Sequence, residues 1–331
     1  MNVEKKVPQT LQVIRAVGIL FAFILSATFS QAQTRKIYNA NKTQALEELT
    51  VKEGGLSFYV IGDWGRNGHF KQMEIAAIMQ QAGFIIKPDF IISTGDNFYP
   101  DGIASVKDPF IISSFEDIYY GSNLFCPWYL VLGNHGYLGN VEAQIDYTKI
   151  SQRWNMPNHY YLVDKEVDDF KTRLIFLDTN PLQQSYYEEE KYRKIKEQDT
   201  LQQKRWLLNA LETSEAKWNI VVGHHPMYSA GKDQEETSLQ NLLESTSKDS
   251  KVDIVFSGHQ HVIAHQKSDE STIQQFISGS GSRGEDVGKS SSTKFIDSDE
   301  GFLIVIVQEK EILVQAVNWK GEVLYKREIF R

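Results

Sequence analysis

The sequence predicts an α/β protein made of two packed sheets with helices outside. Three observations predict it. Short apolar runs alternate with amphipathic stretches along most of the chain, the pattern of strand–helix units. The C-terminal stretch then holds apolar runs with no helical period between them, which predicts mixed or antiparallel sheet edges. Five of the runs also end alike, on a glycine and a side chain able to bind metal. The carboxyl ends of strands in an open α/β sheet gather ligands in this way.

The first element is one to set aside. Lys5, Lys6 and Arg15 form a basic lead, and Ala16 to Phe29 is almost wholly apolar. That run is shorter than the roughly 20 residues a spanning helix needs. Ser30-Gln31-Ala32 follows, with small residues where signal peptidase reads. Residues 1–32 are therefore expected to be a secretory signal peptide cleaved after Ala32. An uncleaved anchor is the competing reading. No cysteine lies near the cut, which argues against a lipid anchor. Residues 33–331 are expected to form a single domain, periplasmic or secreted, with no stable membrane anchor.

The remaining elements follow in order. A short helix is expected around Thr43–Leu49. Leu56–Ile61, Phe90–Ser93 and Trp128–Leu132 read as buried strands, separated by helical patterns at Phe70–Ala82 and Pro109–Tyr119. Val141–Ile150 reads as helix. His159–Lys165 and Arg173–Asp178 read as paired strands around an acidic turn. Tyr186–Glu197 is a charged run, read as a solvated helix or loop without a function. Thr200–Leu211 is a helix, Trp218–Val222 a strand, Leu239–Leu243 part of a helix and Ile254–Ser257 a strand. Ser278 to Thr293 is rich in Ser and Gly and reads as a surface loop. Phe302–Val307, Ile312–Trp319 and Val323–Ile329 are the closing strands, with a Lys320-Gly321 turn between the last two.

Composition excludes several functions. The 331-residue chain is 41% hydrophobic and 24% charged, an ordinary globular balance. Its formal net charge is −8, so it has no electrostatic means of holding a nucleic acid backbone. Cys126 is the one cysteine, which rules out an intramolecular disulfide and a thiolate zinc site. Any metal must be held by oxygen and imidazole.

The five motifs supply such donors. VIGDWG offers Asp63, STGDNFY offers Asp96 and Tyr99, and VLGNHG offers Asn134 and His135. VVGHHP offers His224, and FSGHQH offers His259 and His261. A buried strand holds a carboxylate or imidazole only at high cost, whereas its end does so cheaply. A glycine before the ligand lets the chain turn there. Taken singly each motif is bland: a Gly-Asp after a strand is more often a turn, and an Asn is a turn residue. Their joint order is the signal. Two Asp, one Asn, three His and one Tyr suit iron, zinc or manganese and exclude soft copper(I). Seven ligands exceed the needs of one catalytic metal and match two, which can clamp a phosphate for in-line attack by water.

Together GDWG, GDNFY, GNH, VVGHHP and GHQH resemble the purple acid phosphatases of the metallophosphoesterase superfamily, especially the small tartrate-resistant type. The motifs run from Gly62 to His261, about two-thirds of the chain beyond Ala32. Tyr99, three residues after Asp96, is the specific mark. The resemblance implies a β-sandwich of two mixed sheets flanked by helices. It implies two metal ions, Fe(III) plus a divalent Fe, Zn or Mn. Asp63, Tyr99 and His261 would bind Fe(III); Asn134, His224 and His259 would bind the divalent ion; Asp96 would bridge them. The implied reaction is hydrolysis of a small phosphate monoester by a metal-bound hydroxide. His135 would hold the phosphate or protonate the leaving oxygen, and His225 would lie behind the ligands or against the substrate. His69, His159 and His265 belong to no motif and read as structural or surface residues.

Two departures stand out. The family usually has Gly-Asn-His-Asp, and this chain has Gly136 at the last position. Loss of a partner that orients an imidazole costs roughly 10–100-fold unless another group stands in. The loop after Pro226 carries Lys232 and Asp233 where the mammalian type has a glutamate and a histidine, so substrate preference does not transfer. Other readings share the same ligands: a phosphodiesterase or nucleotide hydrolase of the superfamily, or a low-activity metal-binding pseudoenzyme, for which Gly136 is the one support.

Overall fold

Two mixed sheets of seven strands each carry the chain in the computed structural model, which describes residues 46–231, 238–245 and 251–331. The proposed signal peptide, Lys232 and Asp233 lie outside the described residues, as do residues 43–45 of the helix expected at Thr43–Leu49; the rest of that stretch is a turn and not a helix, with Leu46 in the left-handed region at φ 69°. Glu48–Arg331 forms one compact unit.

In chain order the strands are β1 (Leu56–Ile61), β2 (Phe90–Ser93), β3 (Trp128–Leu130), β4 (Trp154–Asn155), β5 (Tyr161–Val167), β6 (Phe170–Phe176) and β7 (Trp218–Val222). There follow β8 (Ile254–Ser257), β9 (Ile263–Gln266), β10 (Gln274–Ser278), β11 (Thr293–Asp297), β12 (Gly301–Val307), β13 (Glu311–Asn318) and β14 (Val323–Phe330). The first sheet runs β14-β13-β12-β1-β2-β3-β4, and the second runs β11-β9-β10-β8-β7-β6-β5. At the centre of the first sheet β1, β2 and β3 are parallel, and at the centre of the second β6, β7 and β8 are parallel. The last three strands pair antiparallel, as their lack of intervening helices predicts.

The parallel strands are buried on both faces, which is why they read as continuous apolar runs rather than alternations. Every residue of β2, β7 and β8 is buried. Aromatic pairs join the sheets across the core: Phe58 meets Phe256 edge-on at 6.1 Å, and Tyr129 lies 5.8 Å from Phe176. The Tyr161 hydroxyl crosses from β5 to the backbone of Leu130 on β3.

Helices cover the outside: α1 (Gln72–Ala82), α2 (Pro109–Ile111), α3 (Val141–Asp146), α4 (Thr200–Glu212) and α5 (Ser238–Ser245). The α1 helix begins two residues later than its apolar spacing predicts, because Phe70 sits in the left-handed region with φ 56°. α2 is short and runs into a π turn at Ile112–Glu116. α3 gives way to a 3-10 turn at Tyr147–Lys149. Strands β4, β9, β10 and β11 are not expected from the sequence. IAHQ and QQFIS bury Gln and His within the sheet, which breaks the apolar signal. The expected surface loop at Ser278 to Thr293 begins inside the protein: Ser280 and Ser282 are buried.

Candidate metal centre

The carboxyl ends of five parallel strands meet at one place. Asp63 follows β1, Asp96 follows β2, Asn134 follows β3, His224 follows β7 and His259 follows β8. The first three come from one sheet and the last two from the other, so the site sits at the junction of the sheets.

Close approach explains the glycines. A Cβ on Gly133 would stand 2.1 Å from Asp96 Oδ1 and 2.3 Å from its backbone nitrogen. Gly95 takes φ 99°, the left-handed region. The donors carry the sharpest turns themselves: Asp63, Asp96 and His259 all have positive φ, at 60°, 49° and 69°. Such strain persists only where the surroundings fix it. Here backbone N–H groups fix the carboxylates: His135 N donates to Asp96 Oδ1 at 2.9 Å, and His259 N donates to Asp63 Oδ2 at 3.0 Å. Ser282 Oγ, from the buried start of the Ser-rich loop, donates to the Asp63 carbonyl at 2.6 Å.

The side chains form two clusters that share Asp96. In the first, Tyr99 Oη lies 2.8 Å from Asp63 Oδ1, 2.9 Å from Asp96 Oδ2 and 3.2 Å from His261 Nε2. In the second, Asn134 Oδ1 lies 3.0 Å from His224 Nε2 and 3.1 Å from His259 Nδ1. His224 Nε2 is also 3.5 Å from Asp96 Oδ2. Asp63, Asp96 and His224 are all buried, and each offers a ligand atom within 4.8 Å of the others. Every one of the seven residues with donor character in the sequence is therefore in one of the two clusters.

This donor set fits cations. One phenolic proton faces two carboxylate oxygens and an imidazole nitrogen, so acceptors outnumber protons. Burial, then the carboxylates of Asp63 and Asp96, hold the Tyr99 phenol well above its usual pKa. Burial favours neutral Asp96, but His224 and His135 outweigh it and hold the carboxyl below its usual range. Burial would lower His224, yet Asp96 and Asp63 push it up to about 9. His224 Nδ1 lies 2.9 Å from the Thr94 carbonyl, which can only accept, so that nitrogen carries a proton and Nε2 is the one turned to the cluster.

His135 is at the open side of the site, with a third of its side chain exposed. Its Nδ1 donates to the Pro100 carbonyl, and its Nε2 points toward Asp96, 3.9 Å away. The partner expected of a carboxylate at position 136 is thus a backbone carbonyl. Gly136 itself abuts Gln144: a Cβ there would stand 2.8 Å from Gln144 Nε2, a buried donor with no hydrogen-bond partner among the described residues.

His225 has both nitrogens engaged. Thr179 Oγ1 accepts the backbone N–H groups of His224 and His225, so its own proton goes to His225 Nδ1 at 2.8 Å. Nε2–H then donates to Tyr186 Oη at 2.9 Å. Burial, with His259 and His224 adjacent, keeps this imidazole neutral. The other histidines lie off the site. His69 is exposed, His159 bridges Asp178 and Glu142, and His265 is buried in the second sheet against Phe276.

The sequence reading misses the contribution of the charged run at Tyr186–Glu197. Asn134 Nδ2 donates to Tyr192 Oη at 3.2 Å, and Tyr186 is the partner of His225. Arg66 is missed as well; its guanidinium lies 3.5 Å over the Tyr99 ring. The aromatic residues within the charged run are the one signal that could have found the first.

Comparison with known proteins places this geometry. Residues 56–263 match the family model for calcineurin-like phosphoesterases. Purple acid phosphatase 3 of Arabidopsis thaliana is 35% identical, over 91% of this chain and 82% of that protein. Human tartrate-resistant acid phosphatase type 5 is 30% identical, over 87% of this chain and 96% of that protein. Among solved structures, GAP50, the anchor in the inner membrane complex of Plasmodium, superimposes with a TM-score of 0.73 at 28% identity, covering 84% of this chain and 89% of that one. The chain belongs to the calcineurin-like phosphoesterase family, among the purple acid phosphatases.

Proposed function

We propose that the chain is an exported acid phosphatase that hydrolyses phosphate monoesters at a dinuclear Fe(III)–M(II) centre. The observation that carries this reading is the pair of donor clusters sharing one carboxylate, Asp96. Asp63, Tyr99 and His261 would hold the trivalent ion, since a hard anionic phenolate favours it. Asn134, His224 and His259 would hold divalent Fe, Zn or Mn, and Asp96 would bridge. Ions held by these residues would supply charge neutralisation for the phosphate and a lowered pKa for attacking water.

The protein's own groups complete the reaction. His135 Nε2, on the open side, is placed to bind the phosphate or to give a proton to the leaving oxygen. The Pro100 carbonyl fixes which nitrogen is turned inward. His225 acts behind the ligands, holding Tyr186 rather than substrate. Residues 33–331 form the catalytic domain, and residues 1–32 direct export. Among the described residues no helix is long and apolar enough to cross a membrane.

The test is hydrolysis of a chromogenic aryl phosphate by the chain loaded with iron and zinc, scanned from acidic to neutral pH. Metal-dependent turnover is expected. Two bound metals with cleavage of a diester in place of the monoester would favour the phosphodiesterase reading. Two bound metals with no turnover on either would favour a metal-binding pseudoenzyme.

A further inference from the structure

We propose that Tyr192 is a positioning residue for the Asn134 half of the metal centre, and that the charged segment 184–197 exists at this place to present it. The inference rests on the dinuclear reading above.

The segment looks like solvated surface. Glu190–Glu197 reads EKYRKIKE, and only Tyr192 and Ile195 in it are buried. It comprises short 3-10 turns joined by a kink at Tyr192, with φ −102° and ψ 17°. The kink drives one aromatic side chain inward from an otherwise charged strip. Three contacts hold it there. Tyr186 stacks on the Tyr192 ring at 4.1 Å with 29° between planes. Lys194 Nζ donates to the Gly139 carbonyl, just beyond the turn that carries Asn134 and His135. Ile195 is fully buried.

Asn134 needs such a partner. An amide has one end that can bind a cation and one that cannot. Oδ1 faces His224 Nε2 and His259 Nδ1, and Nδ2 points away to Tyr192 Oη. The phenol oxygen takes that N–H in a buried place. Without it, the orientation that offers Oδ1 to a cation strands a buried donor. The turned-over amide would leave its carbonyl without a donor there and present an NH2 group to the metal side, so without the phenol the orientation that offers Oδ1 is no longer held. Outer partners of this kind typically change metal affinity by roughly 10–100-fold.

The experiment loads the whole chain with Fe(III) and titrates Zn(II) against a competing chelator. It compares wild type with Tyr192→Phe and Tyr187→Phe. Tyr187 is on the same segment, but its hydroxyl donates to the Pro181 carbonyl at 3.1 Å, away from the ligands. Tyr192→Phe keeps the buried ring, so the fold is retained, and circular dichroism verifies it. The expected result is Zn(II) affinity about tenfold weaker or worse in Tyr192→Phe. The visible band of the Tyr99 half stays unchanged, and turnover returns at saturating Zn(II). Tyr187→Phe matches wild type. Wild-type affinity in Tyr192→Phe overturns the proposal, and so does an equal loss in Tyr187→Phe. Wild type that takes up no second ion overturns the dinuclear reading and this inference with it.

Discussion

Tyr99 decides what kind of centre this is. It is buried, and its hydroxyl faces Asp63, Asp96 and His261 within 3.2 Å. A phenolate on Fe(III) absorbs visible light, so Tyr99→Phe is expected to bleach the loaded protein. Unchanged colour in an absorption spectrum would remove Tyr99 from the proposed iron site. Position 136 gives the opposite kind of prediction. The Pro100 carbonyl already orients His135. Gly136→Asp is therefore expected to change turnover by less than about threefold, because the partner whose loss would matter is in place. A larger rise in kcat would mean that the carbonyl is a poor substitute. At this scale five of the seven proposed metal donors are legible because they stand directly behind a glycine and an apolar run, and Tyr99 and His261 follow three and two residues after such a donor. The partners that hold them are not. Pro100 acts through a backbone carbonyl, which any residue carries. Tyr192 is hidden among charges, and Gln144 shows nothing in sequence of the space it fills beside Gly136.

The strand end is the element that builds the site. β1, β2, β3, β7 and β8 each stop short of their ligand, and the glycine between strand and ligand keeps neighbouring turns in contact. Gly133 has the closest backbone neighbour of these glycines, because its missing Cβ would stand 2.3 Å from the Asp96 nitrogen as well as 2.1 Å from the Asp96 carboxylate. Backbone cannot swing aside as a flexible side chain can. Gly133→Ala is expected to destabilise the fold by about 1–3 kcal/mol and to cost metal, measured by urea unfolding and by metal content. A variant with native stability and full metal would show that the turn yields. The parallel strands were legible because burial on both faces makes them uniformly apolar. β9 and β10 were not, because Gln266, Gln274 and Gln275 are buried: Gln274 pairs with His265 on the neighbouring strand and Gln275 with the Tyr228 backbone, while Gln266 accepts from Ser292 and leaves its Nε2 without a partner among the described residues. A buried but satisfied polar side chain reads in sequence as a loop residue. The charged run failed for the same reason in reverse: its exposed charges outnumber its two buried side chains.

At the scale of the molecule, the site joins the two sheets. Three donor strands come from one and two from the other, so ions bound there would link them. Ligands that bind only the folded state stabilise it by mass action, and chelation is expected to lower the melting temperature. The metal-free protein should also respond to pH on both sides of neutrality. Burial holds His265 down to about 4. Between that value and roughly 6.5 the unfolded chain binds the extra proton, so stability rises with pH there. His224 is pushed up to about 9. Its contribution is complete below roughly 6.5 and is lost as pH rises through about 9, because the folded state is then the one releasing its proton. Melting temperatures of the chelated protein should therefore peak near neutrality and fall toward pH 9. With metal bound in place of the His224 proton, the fall on the alkaline side should vanish. A fall of the same size in both forms would detach His224 from the metal.

Asp96 is the one carboxylate shared by both donor clusters, and counting metal in purified wild type and Asp96→Ala decides whether it serves two ions. Two ions per chain are expected in wild type and none retained in Asp96→Ala. One ion in wild type, or one ion kept firmly by the variant, would contradict it.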